Sequence, residues 1–183
     1  MTATAAPAFL AATDALVTLY AYPNGALRGA ASAALSAVAA ESPAAAELLE
    51  PLVAHLTSAD LAACEELFVT TFELNPVCAL EVGWQMYGEQ YARGAFLVKL
   101  QGLTREAGLP PPTELADHLP NVLRVVARVA DPTAHKLATT FTLPALAKMT
   151  EALAAQAANP YRGLLAATTT LLENRFGAEV TRE

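Results

Sequence analysis

The sequence predicts an all-α fold, a single domain spanning residues 1–183, and three observations carry that prediction. Alanine and leucine supply much of the 54% apolar content while isoleucine is absent, and both residues favour helix. Ser42-Pro43, Asp131-Pro132 and Asn159-Pro160 each pair a capping side chain with a proline ahead of an Ala- or Leu-rich stretch. Proline suits the first helical turn, where its missing N–H would have no partner. No segment shows the sustained apolar–polar alternation of a half-buried strand.

The elements follow in order. Residues 8–20 make a first helix: the segment has no basic start and carries Asp14 among its apolar residues, unlike a secretory signal. Pro23 and Asn24-Gly25 mark a turn before a helix over 27–40. Ser42-Pro43 opens 43–55, and Thr57 precedes a further start at 58–71. A helix over 76–87 breaks at Gly88-Glu89 and resumes over 89–107. Leu80, Trp84, Tyr87 and Tyr91 have the spacing of a core stripe there. Gly83 and Gly94 complicate it, because an interior glycine costs about 1 kcal/mol relative to alanine; they point to close helix approach or a groove. Glu89 and Arg93 read as a solvated i,i+4 pair. The proline-rich loop at 108–113, "GLPPPT", begins with a helix-ending glycine and is either a hinge or a stiff surface connection. Helices over 115–130, 132–140, 144–158 and 160–175 complete the chain.

The net charge of −7 and pI near 4.9 argue against nucleic-acid binding, which needs clustered Lys and Arg. Cys64 and Cys78 lack C-x-x-C spacing and matched histidines, so they indicate neither a zinc site nor a disulfide framework. A reducing cytoplasm is the simplest location. No charge-free apolar run is long enough to span a bilayer. Walker, G-x-G-x-x-G, G-x-S-x-G and H-E-x-x-H motifs are all absent, and binding is the expected class of function.

The segment "ELADHLPNVLRVVARV" has two stripes of helical spacing: Leu115, Leu119, Val122, Val126 and Val129 face a core, while Asp117, Asn121, Arg124 and Arg128 form a polar face. Asp117 reads as a cap or first-turn residue, and Pro120 is tolerated near the helix start. Adjacent helical residues project about 100° apart, so Asp117 and His118 are poorly placed to act as a catalytic dyad.

Three segments carry a resemblance: "EELF" at 65–68, "YGEQYARGAFLVKLQGLTREAGL" at 87–109 and "ELADHLPNVLRVVARVA" at 114–130. With looser matches at "LVTLYAYPNGALR" and "NPYRGLLAATTTLLE", the chain resembles the NarJ/TorD/DmsD chaperones of molybdenum enzymes, closest to the NarJ-like nitrate reductase branch. Glu114, Asp117, His118, Leu119 and Pro120 match that branch, whereas Ala116 stands where proline is common. Cys64 stands where an aromatic residue is common, and the acidic terminal extension is missing.

The resemblance implies an all-α chaperone without catalytic turnover; the sequence itself, with no nucleotide-binding loop and no obvious histidine ligand set, leads to the expectation of no cofactor and no metal. The chaperone would bind a catalytic molybdopterin subunit through that subunit's N-terminal twin-arginine peptide or a remnant of one, acting in the cytoplasm as monomer or dimer. It would assist cofactor insertion and hold back premature export or membrane docking. A basic, apolar signal calls for an apolar groove with acidic surroundings. Leu67, Phe68, Trp84 and Tyr87 are the expected walls, Glu66, Glu89 and Asp117 the expected rim, and His118 a hinge or contact. Two other readings remain: a small helical metal-dependent hydrolase using His55, Asp117, His118 and His135, and a structural adaptor subunit.

Overall fold

The computed structural model describes residues 6–177, and over these the chain is all-α. Helices α1 (Pro7–Leu19), α2 (Leu27–Glu41) and α3 (Pro43–Ser58) pack in sequence, and α10 (Tyr161–Phe176) closes onto α3. Phe9, Leu16, Leu49, Leu52, Leu164 and Leu165 are completely buried in this base. Gly163 makes the α3–α10 joint possible, because a Cβ at that position would run into the backbone carbonyl of Leu48.

Capping explains several boundaries. The Ser42 hydroxyl accepts from Ala45 N–H, as expected, and α3 runs through Pro51. At the next start the cap is Asp60, whose carboxylate accepts from Ala63 N–H. Thr57 instead donates back to Val53 O within α3. Asp131 lies inside α8 (Asp131–Leu137) and pairs with Arg175 at 2.8 Å. Gly88 and Gly108 occur at positive φ, +57° and +67°, and end α5 (Val82–Tyr87) and the turn after α6 (Tyr91–Glu106) as the sequence predicts.

Two π-helical turns depart from the expected helices. One, Val69–Glu73, extends α4 (Leu61–Phe68); the other, Ala138–Thr142, joins α8 to α9 (Leu143–Ala152). Both contain Thr-Thr-Phe followed closely by proline. Thr70 and Thr71 donate to Glu66 O and Leu67 O, and Thr139 to His135 O; such back-bonding competes with the helical ladder. Pro144 removes one donor that a regular helix would need. The expected 76–87 helix divides into a 3₁₀ turn (Pro76–Cys78), an extended link and α5. The expected 144–158 helix ends at Ala152.

The largest correction concerns 115–130. Helix α7 spans only Leu119–Val126, and His118 is its N-cap residue without a side-chain capping bond. Leu115, expected in the core, is exposed, while Asp117 is fully buried. Residues 117–119 instead pair with 80–82 through an isolated antiparallel bridge, Glu81 to His118. Among the described residues no helix is long and apolar enough to cross a membrane.

Candidate functional site

A half-open cavity of about 560 Å³ lies where the end of α1, the first π turn, the 79–81 link and the start of α7 meet. That size falls within the ~300–1,000 Å³ of ordinary ligand pockets. Its floor is aromatic. Phe68 and Phe72 stack edge to face at 5.3 Å, and Phe72 meets Tyr161 at 4.9 Å behind them. Tyr22 stands against Phe68 at 5.6 Å and is 49% exposed, so its ring forms an open lip. The π turn matters here because its extra residue per turn re-aims Phe72 towards Tyr20 and Tyr161.

The wall is acidic. Glu73, Glu81 and Glu114 line the cavity, opposed by the single guanidinium of Arg124. His118 lies between them, half-buried. Burial holds its imidazole below the ordinary 6.5, against the pull of Glu81, Glu114 and Asp117, while Arg124 adds to the depression. Such a cavity suits a ligand combining apolar surface with positive charge.

Among the eight sequence-predicted site residues, Phe68 and His118 line this cavity. Leu67 packs against the core. Trp84 lines a separate depression with Pro76, Val77 and Lys148, where its indole N–H donates to Pro76 O at 3.1 Å. Tyr87 packs against Phe96 at 5.9 Å. Glu66 and Glu89 are exposed and line neither space. Asp117 is no rim residue: its carboxylate is sealed inside and bound by Arg93 at 3.0 Å. Arg93 therefore partners Asp117 across 24 residues of sequence, in place of the expected Glu89. Gly83 provides the close approach expected of it, whereas a Cβ at Gly94 would meet open space.

No family model matches this chain, and no curated protein matches it either. What the site can do follows from its own side chains. Tyr22, Phe72, Glu73, Glu81 and Arg124 were missed as lining residues, because they come from four separate segments and share no spacing. The "YP" at 22–23 and the Thr-Thr-Phe before proline are the signals present in the sequence. Among the described residues no three His, Cys, Asp or Glu side chains come together as metal ligands, and His55, Asp117, His118 and His135 form no such group. Burial pushes the Cys78 thiol up to about 12, which leaves it protonated and unreactive at neutral pH.

Proposed function

We propose that this chain is a chaperone for a molybdopterin oxidoreductase, binding the immature catalytic subunit through a basic, apolar N-terminal peptide while the molybdenum cofactor is inserted. The observation that carries the proposal is the aromatic-floored cavity with three carboxylates on its wall. A twin-arginine peptide pairs guanidinium groups with an apolar helix. Carboxylates bind guanidinium in paired, charge-assisted hydrogen bonds, and aromatic side chains give apolar area with little entropy cost. Bound there, the peptide is withheld from the export machinery until the client is complete. The resemblance in "EELF", "YGEQYARG" and "ELADHLP" supports the same reading.

Calorimetry with a synthetic peptide carrying two adjacent arginines and an apolar segment tests it. Binding should weaken with rising salt and fall about tenfold or more in Glu81→Gln/Glu114→Gln. Absence of binding, or an affinity indifferent to both changes, overturns the proposal. Capture of a cofactor-poor molybdopterin subunit from the native cells would name the client; a permanent complex with the mature enzyme would identify an adaptor subunit instead.

A further inference from the structure

A very small piece of pairing joins the two segments that carry Glu81 and His118 on the cavity wall. Val82 N–H donates to Asp117 O at 2.8 Å and Leu119 N–H to Leu80 O at 2.8 Å, and these bonds flank the Glu81–His118 bridge. Two backbone hydrogen bonds contribute about 1 kcal/mol each, too little to keep two loop segments in register unaided.

Behind the bridge lies a buried ion pair. Asp117 Oδ2 accepts from Arg93 Nε at 3.0 Å, and Asp117 Oδ1 has no hydrogen-bond partner among the described residues. Gly83 faces the same carboxylate: a Cβ there would stand 2.5 Å from Asp117 Oδ2, 3.1 Å from the Phe96 ring and 3.2 Å from Arg93 Cγ. Any side chain at 83 would take the space that the ion pair occupies. Arg93 also reaches over Trp84, 5.8 Å from the ring centroid, so its guanidinium is held from two sides.

We infer that Arg93, Asp117 and Gly83 form a positioning clamp: the buried pair, admitted by the glycine, sets the register of the Glu81–His118 bridge and so the placement of Glu81, Glu114 and His118 on the cavity wall. None of the three clamp residues lines the cavity itself. A buried charge with one unpaired oxygen is an expensive way to gain stability, since apolar packing serves as well. What the pair supplies is a directional link between α6 and the 117–119 segment, which hydrophobic contact lacks. The clamp's bearing on recognition rests on the peptide-binding reading; its bearing on the wall does not.

Amide hydrogen exchange on the full chain separates these roles. In Asp117→Asn and in Gly83→Ala, exchange at Val82 and Leu119 should accelerate about tenfold or more, with reference amides at Leu52 and Leu165 changing less than about twofold. Asp131→Asn, which breaks the more exposed Arg175 pair, should leave Val82 and Leu119 unchanged. Arg93→Lys keeps the charge while losing the Nε contact, and carries the same comparison should Asp117→Asn fail to fold. Unchanged protection at Val82 and Leu119, or equal acceleration at the reference amides, overturns the clamp. Calorimetry with the arginine-containing peptide is the second readout. If the wild type binds no peptide while the bridge loosens as stated, the peptide reading fails and the clamp stands. If the peptide binds but the bridge does not loosen, only the clamp fails.

Discussion

The base formed by α1, α2, α3 and α10 and the half that carries the cavity are built on different physics. In the base, regular helices bury whole apolar faces, and small residues allow backbones to approach, as Gly163 does at Leu48. In the cavity half, the described residues include two π turns, a 3₁₀ turn, an isolated bridge and a buried ion pair. Broad apolar contact averages over many atoms, so losing one contact is felt as global stability. A single polar device has no neighbour to share its load, and its loss is local. The two halves nevertheless share one apolar core, to which Leu119, Leu146 and Met149 of the cavity half contribute fully buried side chains.

Substitutions can break that comparison, beginning with the base. Gly163→Ala should cost about 3 kcal/mol by urea denaturation, because the added carbon meets backbone and the helices must separate. A midpoint equal to wild type would show that the base is more compliant than its packing implies. Asn159 joins the two halves: its amide donates to Thr71 in the π turn at 2.9 Å and its oxygen accepts from Tyr161 N–H at 3.0 Å. Asn159→Ala should cost about 1.5 kcal/mol and disturb exchange in the 69–73 turn before α10; the reverse order would place the joint wholly in the base.

The smallest effect concerns pH. Burial holds the pKa of His118 below 6.5 in the folded chain, so on acidification the unfolded chain takes up the proton first. The contribution of this group to stability is thus fully present above the unfolded value and declines as pH falls through 6.5 towards the folded one. Urea midpoints between about pH 7.5 and 5.5 should fall less steeply in His118→Gln than in wild type. Identical slopes would mean that the imidazole is freely hydrated.

Much of the helical punctuation was legible. Ser42 caps α3, Gly88 and Gly108 terminate helical segments, and the apolar repeat of Leu119, Val122 and Val126 faces the core. These signals are local, lying within one or two turns of the residues they control. The candidate site was legible only in part. Phe68 and His118 line the cavity, but Trp84 and Tyr87 face elsewhere. Asp117 was misread because its helical spacing with Asn121 and Arg124 continues past the point where the helix begins. The two Thr-Thr-Phe π turns look like ordinary helix in periodicity, since hydroxyl back-bonding and a following proline leave the apolar repeat intact.

By itself the sequence determined the all-α class, most helix positions and the net acidity, because propensity, capping and charge are properties of near neighbours. Only the tertiary structure decided that Asp117 is buried against Arg93, that Gly83 makes room for them, and that Glu73, Glu81 and Glu114 face one aromatic floor. Those relations join segments far apart in the chain, and their energies exist only once the helices have packed.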